Sequence, residues 1–330
     1  MHGVKRTRQS PEAIQARKQR ERAKIDEHRA LAAQVLSLKA ANDWGADALA
    51  LTTRLLATNP EFYTVWNYRR YILLRGVFPA SSPAQVNTLL NDDLAMTTSA
   101  LRQHPKVYWI WNHRRWCLEN IPDGPGDGAE KLAWKRASWA RELYVVEKML
   151  DADPRNFLAW DYRRYVLASS PDRRPESTEL DYTTRKIESN FSNFSAWHQR
   201  SKVLASLWAK GEHTGVAVKD AEFEFIKQAM YVDPYDQSAW LYHRWLVGAG
   251  EDREVLEREI AVIEELREVE PDSKWCLDSL VHYKRLLIKH DPENAEALGK
   301  ECLGMLSELE RIDTFRGQRY RDLAAGIREG

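Results

Sequence analysis

The chain has 330 residues, and its 49 lysines and arginines are balanced by 49 aspartates and glutamates. The resulting formal net charge of zero argues against nucleic acid as a general partner, because nucleic-acid-binding domains carry an excess of basic residues. Hydrophobic residues make up 43% of the chain, which is enough for a core, but no run of eighteen apolar residues occurs, so the sequence predicts no transmembrane segment.

The N-terminal part of the chain, residues 1–41, is predicted to form a basic arm and a first helix. Residues 1–10 are polar and basic, which predicts an extended segment and no signal peptide. Ser10 is followed by Pro11 and Glu12, a combination that is typical of a helix start. We expect this helix to run to about residue 41.

Charged residues and cysteines are unevenly placed along the chain. Residues 4–29 are rich in lysine and arginine, and residues 251–272 are rich in aspartate and glutamate. Both stretches are interpreted as solvated helix faces, with docking to a partner as the alternative. Three scattered cysteines, Cys117, Cys276 and Cys302, form neither a disulfide framework nor a zinc motif, which indicates a reducing, cytoplasmic environment.

Five segments of the remaining chain repeat nearly one pattern: an aromatic residue in four of the five copies, two further residues, a tryptophan and then a helical turn with one or two arginines. Successive tryptophans are 45, 49, 37 and 43 residues apart, a length that fits two helices and their connections. A weaker copy without the arginines is placed at Trp275. The five tryptophans are Trp66, Trp111, Trp160, Trp197 and Trp240.

An apolar, helix-like run that ends in proline precedes most of these copies. The proline lies six residues before the tryptophan in four of the five copies, and Phe191 takes its place in the fourth. Because proline cannot continue a helix, each unit is predicted as a helix A, a turn and a helix B. The pattern therefore favours an all-α solenoid of helical hairpins over residues 42–290, closed by C-terminal helices over residues 291–330.

The repeated tryptophan and arginines are interpreted first as packing residues. Trp66, Arg69 and Arg70 are three and four residues apart and therefore share one face of helix B. Tryptophan offers a large apolar surface to bury between stacked helices, and arginine can bind carboxylates or carbonyl groups while its stem covers apolar surface. A functional role for an individual arginine requires a departure from the pattern or a resemblance to a known family.

Three motifs, with the proline before them, resemble the repeats of protein prenyltransferase α subunits: Trp-Asn-Tyr-Arg-Arg at 66, Trp-Asn-His-Arg-Arg at 111 and Trp-Asp-Tyr-Arg-Arg at 160. The resemblance covers roughly residues 45–290 and implies a right-handed α-α superhelix. The start, Met1-His2-Gly3-Val4-Lys5, is similar to the Rab geranylgeranyltransferase type, in a short form without extra C-terminal domains. The shared α subunit of farnesyltransferase and geranylgeranyltransferase type I and a non-catalytic helical-repeat scaffold remain alternatives.

The resemblance also implies a heterodimeric enzyme. A β subunit would hold the zinc and most of the isoprenoid pocket, and the α subunit alone would be inactive. The zinc would bind a cysteine of a Rab GTPase, presented by a Rab escort protein, as a thiolate. This thiolate would attack C1 of geranylgeranyl diphosphate, and diphosphate would leave.

Two candidate site residues flank the start of helix B in the second unit. The lysine of the family that corresponds to Lys106 projects toward the diphosphate, where a cation lowers the barrier to departure of the leaving group. Other units carry different residues near this turn, so the repeat itself does not require the lysine. Tyr108 is expected to form a hydrogen bond near the same phosphate, although most units have an aromatic residue there.

Two histidines are assigned different roles. His2, on the basic arm, is expected to reach the open coordination position of the zinc in the β subunit and to cap it when substrate is absent. His113 lies on the tryptophan face of helix B and is interpreted as a packed, hydrogen-bonded histidine.

Overall fold

The computed structural model describes residues 10–329, and within this range the chain is all-α, with fifteen α-helices and no β-strand. This confirms the predicted fold class. The helices are α1 (Pro11–Ala40), α2 (Ala46–Thr58), α3 (Tyr63–Ile72), α4 (Pro83–Gln103), α5 (Tyr108–Glu119), α6 (Ala133–Ala152), α7 (Phe157–Ser169), α8 (Ser177–Glu188), α9 (Phe194–Ala209), α10 (Val216–Val232), α11 (Gln237–Val247), α12 (Arg253–Val269), α13 (Lys274–Leu287), α14 (Ala295–Ile312) and α15 (Gly317–Glu329).

The chain divides into two compact units, one up to Arg173 and one from Arg174 onward. Helices α1–α7 lie in the first unit and α8–α15 in the second. After α1, the helices form antiparallel hairpins, each with a helix A and a helix B, as the repeat predicts. The predicted boundaries at residues 41 and 290 fall inside the two units and stay a prediction. No helix of residues 10–329 is both long and apolar enough to cross a bilayer.

The first helix begins where its sequence predicts. The Ser10 hydroxyl accepts a hydrogen bond from the backbone N–H of Ala13 at 3.2 Å, and Pro11 is the first helical residue. Residues 11–27 are exposed apart from the half-buried Ile14, whereas Val35 is buried against the rest of the first unit. The basic part of α1 that the structure describes is therefore exposed, which fits both a solvated face and a docking surface.

The repeated tryptophan fixes the turn inside each hairpin. In five hairpins its indole Nε1 donates to the backbone carbonyl six residues earlier, at 2.8–3.0 Å. The indoles are only 1–3% exposed, which confirms that they are core residues. Because only the carbonyl oxygen of the earlier residue is used, Phe191 can replace the proline before Trp197.

The sixth hairpin corrects one prediction. Ser273 caps the N-terminus of α13, and the residue four positions after this cap is Leu277, which is fully buried. In the fourth and fifth hairpins the residue four positions after the cap is the tryptophan. Pro271 also lies six residues before Leu277. Leu277 therefore occupies the repeat position, and its assignment to the half-exposed Trp275 was wrong by two residues.

Candidate functional site

The first arginine of the repeated motif connects successive hairpins. The Arg69 guanidinium donates Nε to Asp93 Oδ2 on the next helix A at 2.9 Å, and Nη1 to the hydroxyls of Thr52 and Thr53 on its own helix A at 2.9 and 2.8 Å. The same arrangement recurs twice. The further sets are Arg114 with Glu142, Thr97 and Thr98, and Arg200 with Glu222, Thr183 and Thr184.

Each of these buried carboxylates also accepts a hydrogen bond from the residue two positions after the next tryptophan. Tyr162 donates its hydroxyl to Glu142 at 2.6 Å, and Tyr242 donates to Glu222. One carboxylate thereby links three helices. Because the carboxylate and the arginine are both buried, each neutralises a charge that would otherwise be costly to bury. The packing interpretation of the first arginine is confirmed.

The same position in the second hairpin holds a cluster that looks like a metal site. Ligand atoms of Asp93, His113 and Cys117, all buried, lie within 4.8 Å of one another. However, Arg69 is bound to both carboxylate oxygens of Asp93, and His113 Nε2 lies 2.8 Å from Oδ2. The donor set is already satisfied by protein groups, so it does not fit a zinc ion.

Burial sets the protonation of this cluster. It lowers the pKa of His113 to about 4, although Asp93 partly opposes the change, and it raises the pKa of the Cys117 thiol well above its usual value. Burial alone would raise the pKa of Asp93, but hydrogen bonds and charges from Arg69 and His113 lower it overall. His113 is a neutral, packed residue whose ring lies 4.8 Å from that of Trp66, which confirms its interpretation.

Lys106 lies in the turn between helices α4 and α5. Its side chain is 65% exposed, and Nζ is 3.2 Å from Asp153 Oδ2 in the turn after α6. Val107 is the N-cap of α5 and supplies no side-chain acceptor, unlike the caps of α7, α9, α11 and α13. An exposed ammonium therefore stands beside a helix N-terminus without a side-chain cap, a combination that attracts anions.

Tyr108 is the first residue of α5 and is 53% exposed. Its ring lies 6.0 Å from that of Phe157, the first residue of α7, in a tilted arrangement. Tyr63 occupies the same position in the first hairpin and is also about half exposed. The ring position thus belongs to the repeat, whereas the hydroxyl distinguishes Tyr108 from Phe157.

The structure brings two of the three predicted site residues, Lys106 and Tyr108, onto one turn. His2 lies outside the described residues. Asp153 was not anticipated, because its approach to Lys106 depends on the packing of two separate turns. Glu259 was also missed: it lies in the acidic stretch 251–272, but it is buried and bound to His243 Nε2 at 2.9 Å.

Comparisons with known proteins agree with this architecture. The chain is 39% identical to the geranylgeranyl transferase type-2 subunit alpha of Schizosaccharomyces pombe, with 99% of this chain and 98% of that protein covered. It is 32% identical to the protein of that name from Candida albicans, with 98% of each covered. The family described as protein prenyltransferase alpha subunit repeat matches residues 46–76, 90–121, 139–170, 177–207 and 219–249.

A solved structure has a similar fold. The structure of Candida albicans protein geranylgeranyltransferase-I complexed with GGPP includes a chain that superimposes with a TM-score of 0.69, covering 92% of this chain and 91% of that one. The sequence identity is 21%, so this similarity bears on the fold alone.

Proposed function

The chain belongs to the protein prenyltransferase alpha-subunit family, and from this premise we propose that it is the α subunit of the Rab geranylgeranyltransferase, the type II enzyme. This enzyme would transfer geranylgeranyl from geranylgeranyl diphosphate to C-terminal cysteines of Rab GTPases in the cytoplasm. A Rab escort protein would present the Rab. The observation that carries the proposal is the similarity, over almost the whole chain, to relatives named as type-2 alpha subunits.

The catalytic work is divided between two subunits in this proposal. The β subunit would be an obligate partner that holds a zinc ion, and this ion would favour the thiolate of the substrate cysteine, the nucleophilic form of a thiol. The metal-like cluster of Asp93, His113 and Cys117 does not fit zinc, and its residues have structural partners. In this proposal the α chain scaffolds the β subunit and binds the leaving group.

Lys106 is the residue of this chain that we assign to the chemical step. As the carbon–sulfur bond forms at C1 of the isoprenoid, the carbon–oxygen bond breaks and negative charge develops on the diphosphate. A cation placed at this point stabilises the transition state more than the ground state. The exposed ammonium of Lys106 and the adjacent N-terminus of α5 are suited to this role.

Tyr108 and His2 have supporting roles in the proposal. The Tyr108 hydroxyl would donate a hydrogen bond to the same diphosphate, since its ring is half exposed on the turn that carries Lys106. The His2 imidazole would cap the zinc of the β subunit when no substrate cysteine is bound, because neutral imidazole is a good zinc ligand.

Co-expression with candidate prenyltransferase β subunits tests the proposal. Each purified complex is assayed for transfer of labelled geranylgeranyl to a Rab, with and without the escort protein, and the α chain is assayed alone. Escort-dependent labelling by the complex only would support the proposal. Modification of short peptides ending in Cys-aliphatic-aliphatic-X would assign the chain to the farnesyltransferase and geranylgeranyltransferase type I enzymes. Failure to bind any β subunit would indicate a non-catalytic scaffold.

A further inference from the structure

We propose that Asp153 is a positioning residue for Lys106: its carboxylate restricts the ammonium group to the anion-binding turn, where the ammonium also binds an incoming diphosphate. This inference rests on the proposed role of Lys106 in binding the leaving group. The contact that points to it is the 3.2 Å separation of Lys106 Nζ and Asp153 Oδ2.

The Asp153 carboxylate is itself held in place. Asp153 caps the C-terminus of α6, and its Oδ1 accepts the backbone N–H of Arg155 at 3.3 Å. This bond leaves the other oxygen, Oδ2, directed at Lys106. A carboxylate that is fixed at one oxygen restricts the orientations of its partner more than a freely rotating surface acid would.

The backbone beside Lys106 is fixed as well. The carbonyl of Pro105 accepts the Trp111 indole N–H at 3.0 Å and the Asn156 side-chain N–H at 3.1 Å. Asn156 is fully buried and caps α7, so it ties the turn of the second hairpin to the turn of the third. The distance between the backbones of Lys106 and Asp153 is therefore set by buried groups, and only the lysine side chain is left to be oriented.

The same two repeat positions are paired elsewhere in the chain. Tyr235 lies five residues before Trp240, as Lys106 does before Trp111, and its hydroxyl donates to Glu270 at 3.1 Å. Glu270 lies seven residues before Leu277, as Asp153 does before Trp160. In these two places an acid lies opposite this turn position, whereas other hairpins have His104 or Asn190 in place of the acid. In the second hairpin the turn position carries the exposed cation.

The Asp153 carboxylate and a bound diphosphate compete for the ammonium group of Lys106. In the free enzyme the carboxylate forms an ion pair with Lys106. This pair keeps the lysine side chain, which otherwise has many rotamers, near the turn. A diphosphate carries more negative charge than a carboxylate and becomes the main partner of the ammonium, while the adjacent carboxylate still limits the orientation of the ammonium. Asp153 therefore lowers the affinity for diphosphate while it raises the fraction of molecules in which Lys106 is correctly placed for the chemical step.

The substitution Asp153→Asn in the αβ heterodimer tests this. Asparagine can keep the hydrogen bond to Arg155 N–H but removes the charge. We expect the dissociation constant for inorganic diphosphate to fall about two- to fivefold, since a competing charge at close range is lost. We expect the single-turnover rate of transfer to fall about three- to tenfold, since positioning is lost. Opposite changes in affinity and rate are not expected from a folding defect.

Asp233→Asn is the matched control, because Asp233 lies seven residues before Trp240 and forms the same turn bond, to Tyr235 N–H at 3.0 Å. Asp233→Asn should change neither the dissociation constant for diphosphate nor the single-turnover rate.

A second control uses the Lys106→Ala background, in which Asp153→Asn should also change neither quantity. If Asp153→Asn leaves both quantities unchanged, weakens both, or acts equally in the two backgrounds, Asp153 has no positioning role. An unchanged rate for Lys106→Ala alone would instead overturn the proposed role of Lys106.

Discussion

Tyr162 donates its hydroxyl to the Glu142 carboxylate at 2.6 Å, across the two helices of one hairpin and 20 residues apart in sequence. The same carboxylate is bound by Arg114 of the preceding hairpin, and all three side chains are buried. A buried carboxylate with two donors thus connects one hairpin to the next, here and at Asp93 and Glu222.

Removal of the Glu142 charge should therefore be costly. The substitution Glu142→Gln leaves the buried Arg114 guanidinium without its counter-charge, so we expect a loss of about 3–5 kcal/mol in the free energy of unfolding. Urea denaturation followed by circular dichroism measures this loss. Asp151→Asn, which alters an exposed pair with Lys148, is the control and should cost far less, because surface ion pairs contribute little to stability. Equal effects of the two substitutions would show that the buried link contributes little.

The corrected repeat position in the sixth hairpin gives a second prediction. Leu277→Ala should destabilise the chain by about 2–5 kcal/mol, because it leaves a cavity in the core. Trp275→Ala should be milder although it removes more atoms, because Trp275 is half exposed and lies against Lys274 and Arg316. Thermal unfolding of the two variants provides the comparison. A larger loss for Trp275→Ala would return the repeat position to the tryptophan.

A buried tryptophan of an undisputed repeat gives a third prediction. Trp160 is 2% exposed and its indole donates to the Pro154 carbonyl at 2.8 Å. Trp160→Ala should cost roughly 3–5 kcal/mol and impair binding of the β subunit through the fold. Trp160→Phe, which retains part of the apolar area, should cost less. A Trp160→Ala variant that melts like the parent chain would contradict the assignment of Trp160 to the core.

The hairpins were predictable from sequence because their main signal is local. The bond from Trp66 to the Pro60 carbonyl spans six residues, and both ends recur visibly in the chain. The links between hairpins were harder to predict. Asp93 in one hairpin is replaced by Glu142 in the next, and the residue that binds it changes from His113 to Tyr162. A position that accepts several residue types gives a weak sequence signal, even though the carboxylate and the residue that donates to it are always 20 residues apart.

The site was predictable only in part for a related reason. Lys106 was identified because it departs from the repeat. Asp153 occupies a turn position where other hairpins also carry Asn or Asp, which cap their own turns, as Asp233 does for Tyr235. Its second role, toward Lys106, depends on how closely two turns approach each other in space. No local pattern in the sequence reports that distance.

Stability should depend on pH between about 6.5 and 4. Burial lowers the pKa of both His113 and His282 to about 4, whereas an unfolded histidine has a pKa near 6.5. Between these values the unfolded chain binds more protons, so stability falls as the pH falls, by up to about 1.4 kcal/mol per pH unit for each histidine. Urea midpoints at pH 7, 6 and 5 measure this slope.

The variant His282→Gln is the control for the pH dependence, since it removes one of the two titrating groups while His113 remains. Its stability should vary less steeply with pH than that of the parent chain. Constant stability from pH 7 to pH 5 would show that these histidines do not resist protonation in the fold.

The substitution Lys106→Ala tests the leaving-group role. Lys106 is exposed and its contact with Asp153 lies at the surface, so the αβ heterodimer should form with unchanged stoichiometry and melting temperature. The single-turnover rate of geranylgeranyl transfer should fall by about ten- to a thousandfold, because a charge that stabilises the departing diphosphate is lost.

Lys148→Ala, which removes an exposed cation of α6, should leave the rate unchanged and is the matched control. Lys106→Arg should recover part of the rate, since charge is retained while geometry changes. If the rate of Lys106→Ala equals that of the parent enzyme, the ammonium does not act on the leaving group, and the anion-attracting turn before α5 needs another explanation.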